Sequence, residues 1–176
     1  MIQVSELSFT YPQRQQAAIA DLNFDIAAGE IFGFLGPSGA GKTTTQKILF
    51  KLLPGYQGSA SIDGIEVRDW GIELYHRIGV SFELPNHYLK LTALENLQFF
   101  GDFYRKQYRK PIDLLAMVGL ENAANEKVGA FSKGMKMRLN FVRALQHDPE
   151  ILFLDEPTSG MDPANAHLVK DLIRQL

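Results

Sequence analysis

The sequence predicts an α/β fold with a mainly parallel sheet, and three observations carry that expectation. Short apolar runs at residues 31–35 and 151–154 read as strands buried on both faces, and 78–82 reads as another short strand. Stretches with helical apolar spacing stand between or after them, at 43–53, 135–145 and 164–176. A glycine-rich loop joins the first of these runs to the first of these helices.

Each element has a local reason. Residues 2–9 alternate between apolar and polar, the pattern of a half-buried strand. After a polar turn at 12–16, residues 22–26 alternate again, and Ala28-Gly29-Glu30 is a turn signal before the run at 31–35. Pro54-Gly55 is expected to end the helix over 43–53. Residues 59–62, closed by Asp63-Gly64, read as an edge strand or a hairpin arm. Thr92-Ala93-Leu94-Glu95 has the form of a capping box, and 112–118 is also helical. No strand is expected between 82 and 151. The expected organisation is a single domain, 1–176, with an antiparallel N-terminal β region. Its core lobe is 1–84 together with 147–176, and 85–146 is an inserted helical lobe.

Composition narrows the function. A chain of 176 residues, 45% hydrophobic and 22% charged, is an ordinary globular domain. Its net charge of −2 disfavours bulk electrostatic binding to nucleic acid or lipid. There are no cysteines. The start, Met1-Ile2-Gln3-Val4-Ser5-Glu6, has no basic region and no apolar core of a signal peptide. No apolar run approaches the ~18 residues that span a bilayer, so spanning is expected of another chain.

Gly36-Pro37-Ser38-Gly39-Ala40-Gly41-Lys42-Thr43 fits G-x-x-x-x-G-K-[ST] at every fixed position, with a strand expected before it and a helix after it. Glycines let the backbone curl so that its N–H groups face a polyphosphate. The helix N-terminus beyond adds positive potential. Lys42 suits the β and γ phosphates, and the Thr43 hydroxyl suits Mg²⁺. This is the pattern of a P-loop NTPase core. Residues 151–154 followed by Asp155-Glu156 place two carboxylates at the C-terminal end of a strand, where open α/β sheets hold their chemistry. Asp155 suits Mg²⁺ or its waters, and Glu156 suits polarising a water for in-line attack on the γ phosphate.

With these residues in place, the chain resembles the ATP-binding cassette family over nearly its whole length, and specifically the nucleotide-binding domain of an ABC transporter. The phosphate loop, Phe131-Ser132-Lys133-Gly134-Met135 and residues 151–157 carry the resemblance in that order. The middle element stands where the family has its Leu-Ser-Gly-Gly-Gln signature. Phe131, Lys133 and Met135 depart from it, while Ser132 and Gly134 remain. In the family, the signature of one subunit closes over ATP held by another. Read alone, Ser132 is a helix N-cap.

The resemblance implies a nucleotide-binding set of Tyr11, Gly36, Pro37, Ser38, Gly39, Ala40, Gly41, Lys42, Thr43, Thr44, Ser132 and Gly134. It makes Glu156 the catalytic residue and gives Mg²⁺ the ligands Thr43, Asp155 and Glu83. Tyr11 takes the place of the family's adenine-stacking aromatic, with a surface-turn tyrosine as the plainer reading. Glu83 replaces the family's Q-loop glutamine, which adds charge and removes an amide donor. Asp162 falls in a stretch resembling the D-loop and also suits the N-cap of the last helix.

The implied function is that of an ATP-binding, ATP-hydrolysing subunit that powers substrate export through a separate transmembrane permease. Ser132-Lys133-Gly134-Met135 and Glu83 resemble the exporter-type branch, which includes antibiotic and multidrug export ATPases. The resemblance further implies a head-to-tail dimer with a second ATP-binding subunit, no nucleic-acid partner, and a cytoplasmic place on the inner face of the membrane. Two alternatives stand beside it: a nucleotide-binding fragment with little turnover, and a soluble non-transport ABC ATPase. The family's switch histidine follows the helix that begins near Asp162. His76, His87, His147 and His167 all precede that place, so the chain reads as a cassette shortened ahead of the switch, with lower stability and weak or no hydrolysis. Arg105, Lys106, Arg109 and Lys110 read as a solvated helix end, with a docking patch as the other reading. Phe99, Phe100, Phe103 and Tyr104 read as core or as a face toward a membrane partner.

Overall fold

A computed structural model describes residues 1–104 and 109–176. The chain divides into two compact units, Met1–Leu74 and Tyr75–Leu176.

In the first unit, β1 (Ile2–Phe9), β2 (Ile19–Ile26), α1 (Lys42–Leu49), β3 (Gln57–Ile62) and β4 (Ile65–Glu66) follow in order. The strands form one antiparallel sheet in the order β2-β1-β3-β4. Val4 sits opposite Phe24 on one side and Ala60 on the other. Alternation sends Ile2, Val4, Ala60 and Ile62 to the buried face. Residues 59–62 thus belong to a hairpin arm rather than an edge. Glu66 fastens that hairpin, accepting from the Tyr56 hydroxyl at 2.5 Å and the Ser59 hydroxyl at 2.6 Å. Burial and this carboxylate push the Tyr56 phenol up to about 12.

Two expectations are corrected in this unit. First, α1 ends at Leu49, well before Pro54. Lys51 adopts φ 60 there, and Leu52 N donates back to Lys47 O at 2.8 Å, which closes the last turn. Second, residues 31–35 form no strand, and Ile31 and Leu35 are 68% and 97% exposed. A strand exists through its ladder, and no described strand pairs with this run. Its aromatic rings pack locally instead: Phe32 and Phe34 lie 5.1 and 5.3 Å from the Phe24 ring of β2.

The second unit follows the single turn α2 (Leu74–Arg77) with β5 (Ile78–Ser81), α3 (Ala93–Gly101), α4 (Pro111–Met117), α5 (Lys133–Arg143), β6 (Ile151–Leu154) and α6 (Pro163–Gln175). β5 and β6 pair in parallel, with Ile78 opposite Ile151 and Ser81 opposite Leu154. A Cβ at Gly79 would come within 2.2 Å of Ala144 O, so only glycine lets the chain beyond α5 approach β5 this closely. Leu97, Leu114, Leu115, Val118, Leu139, Phe141 and Val169 form the centre of this unit's core. The capping box is present as expected. Thr92 Oγ1 accepts from Glu95 N at 3.1 Å, and the Glu95 carboxylate accepts from Thr92 N at 2.8 Å. Among the described residues no strand lies between β5 and β6, apart from an isolated bridge between Thr92 and Lys127.

The aromatic stretch is divided between the two readings. Phe100 and Tyr104 are half-buried, while Phe99 and Phe103 are 39% and 68% exposed. Of the basic cluster, Arg109 pairs with Asp148 at 2.8 Å, and Arg105 and Lys106 lie outside the described residues.

Candidate functional site

The first unit holds Tyr11 and the whole phosphate loop. Gly41 is the hinge of that loop, with φ 88 at the N-cap of α1. A Cβ there would lie 2.6 Å from Ala18 O, so close backbone approach and left-handed geometry both require glycine. Its carbonyl accepts from Thr45 N at 2.8 Å and from the Thr45 hydroxyl at 3.0 Å, starting the helix. Lys42 folds back along the loop, and its Nζ donates to Gly36 O at 2.7 Å and Pro37 O at 2.9 Å. The ammonium is thereby held over the loop that Gly36, Pro37, Ser38, Gly39 and Ala40 form. Ala40 N donates to Pro37 O at 3.2 Å, closing the loop's inner turn. Thr43 and Thr44 follow in the first turn of α1, both half-buried. Tyr11 reaches the same turn, its hydroxyl 3.2 Å from Thr44 Oγ1.

The second unit holds Glu83, Ser132, Gly134, Asp155 and Glu156. Asp155 directly follows β6, and its N–H donates to Ser81 O at 2.9 Å. The parallel ladder therefore continues one residue past the strand, and it brings Asp155 beside the point where the chain leaves β5 toward Glu83. Glu156 is exposed and stands at φ 50, with its carbonyl accepting from Ser159 N at 3.0 Å. A non-glycine residue in the left-handed region costs about 1 kcal/mol, and such strain gathers at functional sites. Ser132 caps α5, its Oγ accepting from Met135 N at 3.2 Å. The N-cap reading is thus realised, and the other first-turn N–H groups of α5 have no partner inside the helix. A Cβ at Gly134 would lie 4.0 Å from Met161 Cα, so the signature stretch adjoins the turn after Glu156. Asp162 caps α6, accepting from Ala164 N and Asn165 N at 3.1 Å each.

The Thr43 hydroxyl in the first unit, and the Asp155 and Glu83 carboxylates in the second, are each hard oxygens, the kind that Mg²⁺ selects. The phosphate loop combines a glycine-shaped backbone, a helix N-terminus and an ammonium, which is the chemistry of a polyphosphate cradle.

The family model for ABC transporters matches residues 19–159. The chain belongs to the ABC transporter family. Among relatives of this ABC protein, the fluoroquinolones export ATP-binding protein of Mycobacterium tuberculosis is 54% identical over the whole chain. The chain spans 58% of that relative's length. The ABC transporter ATP-binding protein NatA of Bacillus subtilis is 37% identical, and the match covers 100% of the chain and 74% of the relative. A solved dimeric ATP-binding cassette, in a post-hydrolysis state bound to ADP and Pi, superposes with a TM-score of 0.89 at 30% identity. That match covers all of this chain and 82% of the cassette.

Sequence reasoning passed over a polar node in the second unit. Asn140, fully buried on α5, donates to Ser81 Oγ at 3.0 Å and Phe82 O at 2.7 Å. Arg143 donates to Asn140 Oδ1 at 2.7 Å and Asn86 O at 3.0 Å, and stacks on Phe100 with 4.4 Å to the ring centroid. Burial lowers its guanidinium to about 10, which leaves it charged near neutrality. An asparagine amid the apolar residues of a helical pattern was the available signal, because a buried amide must find partners.

Proposed function

We propose that this ABC protein is an ATP-binding and ATP-hydrolysing subunit of an export transporter. It works with a membrane-spanning permease and with a second ATP-binding subunit, on the inner face of the membrane. The phosphate loop carries the reading. Lys42 and the loop N–H groups hold the β and γ phosphates, and Tyr11 offers its ring to adenine. Thr43, Asp155 and Glu83 would hold Mg²⁺, which when bound would neutralise charge on the phosphate oxygens. Glu156 orients the attacking water and polarises it. Ser132 and Gly134 close on the nucleotide of the second subunit, so ATP acts as the joint of a head-to-tail pair.

Export is supported by the relatives' names and by Lys133, Met135 and Glu83 standing where they do. No helix among the described residues is long and apolar enough to cross a membrane. Leu84, Tyr88, Leu89 and Phe103 are each at least half exposed in the second unit, which suits an apolar partner surface. In this reading residues 85–146 form the lobe that meets the permease.

Calorimetric titration with Mg-ATP tests the reading, with Lys42→Ala as its partner. The expected outcome is binding by the native chain and at least a tenfold loss in the variant. Equal binding by both proteins would remove the phosphate loop from the function.

A further inference from the structure

β1 ends at Phe9, and Tyr11 stands two residues beyond it in a turn closed by Arg14 N donating to Tyr11 O at 2.9 Å. The Tyr11 ring meets buried Phe9 edge-on, with centroids 5.0 Å apart and planes at 83°. Its far end is fixed separately, by the 3.2 Å contact between its hydroxyl and Thr44 Oγ1. The two residues are 33 positions apart, so the contact is not a product of local chain geometry. An aromatic ring on two torsions, gripped at one edge and at its tip, has little freedom left. A hollow of about 460 Å³ lined by Tyr11, Pro12, Gln13 and Arg14 opens beside it.

We infer that Thr44 is a positioning residue for the nucleotide base: its hydroxyl holds the Tyr11 ring at a fixed place relative to the phosphate loop. The inference rests on the nucleotide reading above. It goes further by giving Thr44 a role at the base end of the ligand, although Thr44 follows the phosphate-loop motif in sequence. A nucleoside triphosphate must meet a ring and a phosphate cradle at once. A ring already held when the ligand arrives loses less freedom on binding. In the hydroxyl pair one group donates and the other accepts, so removing either leaves its neighbour unpartnered.

Dissociation constants for Mg-ATP and for inorganic tripolyphosphate, which has no base, test this in the native chain and in Tyr11→Phe, Thr44→Val, Thr44→Ser and Tyr11→Phe/Thr44→Val. Tyr11→Phe and Thr44→Val should each weaken ATP about three- to tenfold, the scale of one hydrogen bond. The double variant should be no weaker than either single one, because both delete the same bond. Thr44→Ser should restore native affinity, and Tyr11→Phe should bind tripolyphosphate as the native chain does, which also shows that the loop is folded. The inference is overturned if Thr44→Val weakens tripolyphosphate as much as ATP, if the two single losses multiply, or if Tyr11→Phe binds ATP as the native chain does. The nucleotide reading fails separately, if the native chain binds neither ligand.

Discussion

At Gly41 two independent constraints meet on one residue. The backbone stands at φ 88, and Ala18 O leaves no room for a Cβ. Gly41→Ala therefore meets both left-handed strain and overpacking, and should cost about 2–4 kcal/mol. Urea unfolding measures this directly. A loss below about 1 kcal/mol would mean that the loop shifts freely and that its shape is not set by β2. Lys42 is the complementary case. Its two bonds to loop carbonyls are exposed and worth little to stability. Lys42→Ala should therefore leave the urea midpoint nearly unchanged, which is why it is a clean probe of binding.

At the scale of elements, polar side chains fix what apolar packing leaves loose. Phe141, Val142 and Leu139 seat α5 in the core, but apolar contact is non-directional. Asn140 supplies the direction by gripping Ser81 and Phe82. Asn140→Ala would strand these buried groups and should cost about 2–4 kcal/mol. Asn140→Asp keeps an acceptor for Arg143, loses the donors, and should fall between. Denaturant midpoints for the pair check the order, and equal losses would show that the Arg143 contact contributes nothing. Element identity was legible where the signal is local. The capping box at Thr92 and the caps at Ser132 and Asp162 need only neighbouring residues, and each appears in the structure. The run at 31–35 was misread because a strand is defined by its partner, which a window of five residues does not contain.

For the molecule as a whole, buried histidine makes stability depend on acid. His87 is largely buried, with Nε2 donating to Lys136 O at 3.0 Å. Burial lowers its pKa from 6.5 to about 4, and the charges of Arg143 and Lys136 act in the same direction. The unfolded chain takes up a proton near pH 6.5 that the folded chain refuses until about pH 4. Stability is therefore full above that window and falls as pH drops through it, by about 3 kcal/mol at most. His147, also lowered by burial, adds to the same trend. Unfolding midpoints from pH 7.5 to 4.5 should decline, and His87→Gln should flatten the curve. An unchanged slope would assign the acid sensitivity elsewhere. The candidate site could be read from the sequence at this scale because its motifs are contiguous: Gly36 to Thr43, Ser132 to Met135, and Asp155 with Glu156. What escaped is what folding brings together across long separations, as between Tyr11 and Thr44, or Ser81 and Asn140.

α5 joins two of these places within one rigid rod. Its first residue follows Ser132, and its last two turns carry Asn140 and Arg143, which hold Phe82 and Asn86. From Ser132 to Asn140 is about 12 Å of helix at ~1.5 Å per residue. The hollow of about 520 Å³ at the far end is lined by Phe82, Asn86, His87, Tyr88, Phe100 and Arg143. Because the rod is rigid, the clamp that Asn140 and Arg143 make beside that hollow also sets where the serine at the opposite tip stands.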